Sequence, residues 1–254
     1  MVDFDPKGTP NHVTIPRQSL QDRMTDKLFA DAAARGKTLT RDDIQALAKR
    51  HAAGHLVECD CDDVDLSDVD LAGWTFEHCS LRRVKFTGAR LENTSWQSCR
   101  GGFADFQGAN LTEAAFKASD FNNALFRRAT LTSVQFQGCK LTGADLSEAK
   151  AMDISFDETL LINAKLPGYS FRKQRLHKID FGQADLHKCD FRATVFEDCS
   201  LRDANMGGCR FEGADLRGVD LGGLRLIDAA LFRGATISKE QAGQLLAELG
   251  LNVR

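Results

Sequence analysis

From Leu56 to Leu231 every fifth residue of this chain is an inward-type side chain, with no insertion or deletion across thirty-six consecutive slots. The series runs Leu66, Leu71, Phe76, Leu81, Phe86, Leu91, Trp96 and onward, and only Cys61, Gly101 and Ala151 lack a large apolar group. Two places before each centre stands a mostly small residue, as at Ala89, Ala104, Ala109, Ala124 and Ala184. A period of five fits neither the 3.6 of a helix nor the 2.0 of a strand. Each unit therefore reads as a short extended side followed by a turn, and turns at that rate wind a chain into a coil. The skew to seventeen Phe beside one Tyr and two Trp marks a repeated slot that accepts phenylalanine.

The segments Gly108-Ala109-Asn110-Leu111-Thr112, Gly143-Ala144-Asp145-Leu146-Ser147 and Gly213-Ala214-Asp215-Leu216-Arg217 resemble the pentapeptide-repeat family, whose motif is Ala-(Asp/Asn)-Leu followed by two variable residues. The resemblance covers roughly residues 56 to 237. It implies an all-β solenoid, a right-handed quadrilateral β-helix with twenty residues per coil, flanked here by N-terminal helices and a C-terminal helix. At ~4.8 Å between stacked strands, about nine coils would give a rod of roughly 43 Å. Twenty-residue stacking predicts one interior column of Leu56, Phe76, Trp96, Phe116, Phe136, Phe156, Leu176, Phe196 and Leu216. Each such side chain withdrawn from water contributes on the order of 1.5–3 kcal/mol, against about 1–2 kcal/mol per residue for ordering the backbone. An interior so committed leaves no cavity for a substrate.

The cysteines follow the same register. Cys59, Cys79, Cys99, Cys139, Cys189, Cys199 and Cys209 fall on the small inward slot and Cys61 on a central one, so they read as core thiols standing in for alanine. Cys59-Asp60-Cys61 is not a zinc spacing. Stacked neighbours such as Cys189 and Cys209 could be bridged, but free thiols suit a reducing cytoplasm. No phosphate-binding loop, nucleophile elbow or His-Glu-x-x-His motif is present. We expect no catalytic residue, metal or cofactor. His177 and His187 follow central leucines and read as solvated surface.

Charge is nearly balanced, with 33 Lys plus Arg against 36 Asp plus Glu; this points neither to direct nucleic-acid binding nor to a strongly acidic protein. Eleven Asp residues, among them Asp60, Asp65, Asp105, Asp145 and Asp215, occupy the Asp/Asn slot, where turn hydrogen bonding is their first duty. Two clusters remain as candidate partner surfaces. One is acidic, in the first coil, at Glu58, Asp62, Asp63 and Asp68. The other is basic, at Lys165, Arg172, Lys173, Arg175 and Lys178, where the repeat degrades: Ala151 is small, Pro167-Gly168 follows a centre, and Tyr169, Gln174 and Ile179 replace small inward residues. A bulge or bend is expected there.

Residues 1–17, with Pro6, Pro10 and Pro16, read as extended or disordered. A two-helix module is expected over 18–54, the first helix starting at Ser19 and ending near Gly36, the second capped by Thr40 with Asp43 and ending at Gly54. The repeat domain spans 55–237, with a phase slip of one at Gly234. A helix over 238–254 carries a stripe of Ala242, Leu245, Leu246 and Leu249 that could cover the last coil or pair with its copy in a homodimer, as in the quinolone-resistance members of the family. No apolar run is long enough to cross a bilayer and no signal peptide is visible; the expected location is the cytoplasm, or outside it by a route that needs no signal peptide.

These features imply a non-enzymatic bacterial protein-protein interaction module or scaffold. The lead-in from Leu39 to Gly54 is similar to that of repeat modules associated with secretion systems, which suggests an adaptor or effector. The alternative is a DNA-mimicking modulator of gyrase or topoisomerase. Residues 56–235 carry 27 acids and 22 bases, with bases concentrated mid-rod where a mimic should be acidic.

Overall fold

The computed structural model describes residues 33–222, 226–247 and 249–252. The expected extended stretch 1–17 and residues 18–32 of the expected first helix lie outside the described residues.

The chain is a four-sided β-solenoid of about eight turns. Its first side is a ladder of short parallel strands: β1 (Ala33–Arg35), β2 (His55–Val57), β3 (Thr75–Glu77), β4 (Ser95–Gln97), β5 (Ala115–Lys117), β6 (Gln135–Gln137), β7 (Ser155–Asp157), β8 (Arg175–His177) and β9 (Val195–Glu197). From β2 to β7 partners stand twenty residues apart, Leu56 on Phe76 on Trp96 on Phe116 on Phe136 on Phe156. The predicted column is therefore real. Its rings stack nearly parallel, Phe76 to Trp96 at 4.0 Å, Phe116 to Phe136 at 4.8 Å and Phe136 to Phe156 at 5.3 Å between centroids, close to the spacing of β-strands. Rings from the opposite side meet these edge-on, as Phe106 does with Phe116 at 89°. The core is thereby filled in both directions, and Leu66, Phe86, Phe106, Phe126 and Leu146 on the third side are fully buried.

The corners explain the period. Every fifth residue from Glu58 to Gly218 has a positive φ. In the corners after Cys61, Leu66 and Leu71, the N–H three residues on returns to the centre's carbonyl, as Val64 does to Cys61 at 3.2 Å, which is a type II turn. Glycine is the default in such a place, yet most of these corners carry other residues. None carries a β-branched residue or proline, for which positive φ is hardest. The Asp/Asn slot holds the next corner: Asp65 Oδ1 accepts from the Ser67 N–H at 3.0 Å and Asp105 Oδ1 from the Gln107 N–H at 2.9 Å, the turn role expected from the sequence.

At the N-terminal end the structure departs from expectation. Residues 33–35, expected to finish a helix, form β1, which pairs with β2 in parallel, Ala34 against Leu56. Thr38 bridges Asp60, and Leu39 and Ile44 are buried. Residues 33–54 are thus a modified coil of the solenoid, two residues longer than the others, in which helix α1 (Arg41–Arg50) replaces two sides. The physical reason is that Ala34 and Leu39 take up the spacing of five and are drawn onto the exposed end of the core. The Thr40–Asp43 capping box expected for this helix is present. Arg41 then closes the third side, donating to the backbone carbonyls of Asp65 at 2.6 Å and Ser67 at 2.9 Å.

At the other end the path gives about eight turns rather than nine. Gly222 is the last described residue on the regular path, and a 3-10 helix (Leu226–Phe232) stands where the repeat calls for further sides. The chain rejoins the ladder at Thr236, which bridges Asp215 across 21 residues rather than 20, the expected phase slip. Helix α2 (Lys239–Ala247) comes next.

Candidate interaction surfaces

The interior holds the thiols. All eight cysteines are free and buried, so Cys189 and Cys209 are not bridged. Burial pushes the Cys139 and Cys199 thiols up to about 11. Cys99, hydrogen-bonded to Cys79, and Cys189, hydrogen-bonded to Cys209, are raised as well. Among the described residues no three His, Cys, Asp or Glu side chains converge as a metal site, and no helix is long and apolar enough to cross a membrane. His177 and His187 sit at the surface beside carboxylates, Nδ1 lying 2.9 Å from Asp157 and 2.8 Å from Asp185.

The acidic first coil is largely neutralised by the coil above it. Asp62 pairs with Arg82 at 2.7 Å, Asp63 with Arg83 at 2.6 Å, Asp65 with Lys85 at 3.7 Å and Asp70 with Arg90 at 2.7 Å. All four pairs are twenty residues apart, so a spacing visible in the sequence brings them together. Glu58 pairs with Arg35 at 3.2 Å. Burial opposes ionisation of Asp62, but hydrogen bonds from Ser80 and Arg82 outweigh it and hold the carboxyl below its usual range. Hydrogen bonding from Arg83 lowers Asp63. Of the four acids singled out, Asp68 alone has no ion-pair partner among the described residues. It lines a cleft of about 650 Å³ between α1 and the first coil, with Lys49, His51, Asp70 and Trp74.

The basic cluster divides. Lys165 pairs with Asp145 at 3.6 Å, Lys178 with Glu158 at 2.8 Å and Arg175 with Glu197. Arg172 and Lys173 have no partner among the described residues and stand exposed together on the fourth side. Lys150, one coil below, is likewise exposed and has none. Here the regular ladder breaks, as the degraded repeat led us to expect. Strands β1 to β7 form one sheet and β8 and β9 another, and the bridge between Lys150 and Ser170 that the register calls for is missing.

The C-terminal stripe also divides. Ala242 and Leu245 are half-buried, whereas Leu246 and Leu249 are exposed, as is Leu251. The residue that closes the solenoid is one the sequence reading overlooked. Gln241 is buried, and its Nε2 donates to the carbonyls of Leu216 and Val219, both at 2.9 Å. Its Oε1 accepts from the Ser238 N–H at 2.8 Å while Ser238 Oγ accepts from the Gln241 N–H at 3.1 Å. Ser-x-x-Gln is a capping-box signature, the signal that could have found it.

Comparison with known proteins agrees with this geometry. Two family models of pentapeptide repeats match, one over residues 59–95 and 109–147, the other over 176–220. No curated protein sequence matches the chain. Among solved structures, QnrB1, a plasmid-mediated fluoroquinolone resistance protein, is similar in fold at 21% identity and a TM-score of 0.69, covering 80% of this chain and 99% of its own. HetL, a pentapeptide repeat protein involved in heterocyst differentiation regulation in the cyanobacterium Nostoc sp. strain PCC 7120, aligns at 20% identity and a TM-score of 0.58, covering 80% and 96%. The repeat register, the square coil and these matches agree: the chain belongs to the pentapeptide-repeat family.

Proposed function

We propose that this protein is a non-enzymatic bacterial scaffold that binds partner proteins on the outside of its coil, as an adaptor or effector linked to a secretion system. One observation carries the reading. The aromatic stacks fill the interior, while the fourth side leaves Lys150, Arg172 and Lys173 exposed without ion-pair partners among the described residues at the place where the ladder breaks. Unpaired surface cations with an exposed Met152 beside them suit protein recognition. Eight free thiols support a reducing compartment.

Affinity capture from the native host tests it, with full-length protein and the Arg172→Glu/Lys173→Glu variant as baits. The expected result is a defined set of proteins retained by the wild type. Retention of nothing above background by either bait would overturn the reading. The QnrB1-like fold favours a second reading, modulation of gyrase. Its expected signature is inhibition or protection in a supercoiling assay at stoichiometric protein, and no effect there removes it.

A further inference from the structure

We infer that the seam between residues 148–154 and 167–175 is a docking groove for an extended acidic segment of a partner protein. This rests on the interaction-module reading and names the surface and the chemistry of its partner.

The first observation is a gap in backbone pairing. From Thr75 to Asp220 every fifth N–H reaches back to a carbonyl of the preceding coil, except those of Ser170 and Arg175. On the facing edge the N–H groups of Glu148, Ala151 and Asp153 reach no carbonyl of the following coil, whereas their counterparts one coil earlier, Arg128, Leu131 and Ser133, do. The cause is visible in the core. Tyr169 and Gln174 stand where the repeat places small residues, above Ala149 and Ile154. Tyr169 Oη donates to the Leu146 carbonyl at 2.9 Å and Gln174 Nε2 to that of Ile154 at 3.4 Å, so these side chains wedge the two coils where backbone bonds would otherwise run. Ala149 and Ala151 are in consequence half-exposed, although Ala144 and Ala164 in equivalent interior slots are fully buried.

The second observation is charge. On the fourth side of these two coils stand Lys150, Arg172 and Lys173 against one acid, Asp153. None of the three cations has an ion-pair partner among the described residues. Met152, at 69% exposure, is the most exposed large hydrophobic among them.

Together these specify an occupant. Unbonded N–H and C=O groups along an edge are completed by a strand-like backbone. Three free cations select carboxylates, and Met152 with Ala151 offers apolar contact. An extended segment alternating acidic with small apolar residues meets all three demands, because successive side chains of a strand point to opposite faces. A nucleic acid would meet only the charge.

The test uses full-length protein and a fluorescein-labelled peptide alternating Glu with Val, followed by anisotropy. Binding is expected for this peptide and not for its Lys-Val counterpart. Arg172→Glu/Lys173→Glu should weaken it about ten-fold or more, while Lys165→Glu/Lys178→Glu, which alters cations already paired, should change it less than about two-fold. Both variants alter exposed side chains, and circular dichroism checks that they fold. A third peptide with proline at the Val positions lacks the backbone donors and should bind at least about ten-fold more weakly. The inference is overturned if the Arg172/Lys173 variant binds as the wild type does, if the proline peptide binds equally well, or if a single-stranded oligonucleotide binds more tightly than the Glu-Val peptide. Should it fail while the capture experiment still retains partners, the scaffold reading stands and only this groove is wrong.

Discussion

A Cβ placed on Gly101 would lie 2.1 Å from the ring of Phe121, one coil on. The only glycine among the repeat's central slots is thus the space into which the next coil's phenylalanine folds. Gly54 stands in the same relation to Trp74, at 2.7 Å. At both glycines the missing side chain is matched by a large ring twenty residues on, and the total volume of the core is kept.

Gly101→Ala is expected to destabilise the fold by about 1–3 kcal/mol through overpacking. Phe121→Leu in the same chain should restore part of that loss. Denaturant midpoints of the two single variants and the double check it; strictly additive losses would refute the coupling.

Gln241→Leu keeps the volume but removes both donors to the last coil, leaving the Leu216 and Val219 carbonyls without them, at a cost of about 1–3 kcal/mol. The loss should be local, because each coil contacts mainly its neighbours. Hydrogen exchange should quicken in residues 201–222 and not around Phe116. Arg41→Met should do the same at the first coil, where Arg41 bonds the Asp65 and Ser67 carbonyls. Uniform exchange along the rod in both variants would show that neither side chain is a cap.

Glu113 is an exposed corner residue with φ of 61° and makes no side-chain bond among the described residues. Glu113→Gly relieves the left-handed strain and should gain roughly 0.5–1 kcal/mol after glycine's entropic cost. Glu113→Val should lose stability instead. The order Gly, Glu, Val in melting temperature is the readout.

Acid should weaken the solenoid once the pH falls below the range in which an ordinary carboxylate takes up its proton. Hydrogen bonding from Arg217 lowers Asp215 to about 2, and Arg83 and Arg192 lower Asp63 and Asp190. Each carboxyl holds its proton less tightly folded than unfolded, so its contribution is whole above about pH 4 and fades as pH falls toward the folded value. These pairs are mostly exposed and each is small. The melting temperature should fall steadily below about pH 4, and Asp215→Asn should flatten that slope. A melting temperature that holds constant through that range would contradict the assignment.

The spacing of five made the inside legible. It placed Phe116, Phe136 and Phe156 in one column and the cysteines in the core. It also identified Tyr169 and Gln174 as misfits, because a slot in a strict repeat states which way a side chain points. Charge was harder. Glu58 through Asp70 read as an acidic surface along the chain, but the coil sets Arg82, Arg83, Lys85 and Arg90 directly above those acids, and proximity across coils outweighs proximity along the sequence.

What the sequence alone determined is the inward or outward direction of each residue from Leu56 onward, since that follows from periodicity and burial. Only the tertiary structure decided where the coil begins and ends and which polar groups close it. Ala33–Arg35 became a strand because an edge lay waiting to be paired, and Arg41 and Gln241 became caps because the first and last coils left carbonyls that no further backbone could satisfy. Those are demands of a finished surface, and no local pattern of residues carries them.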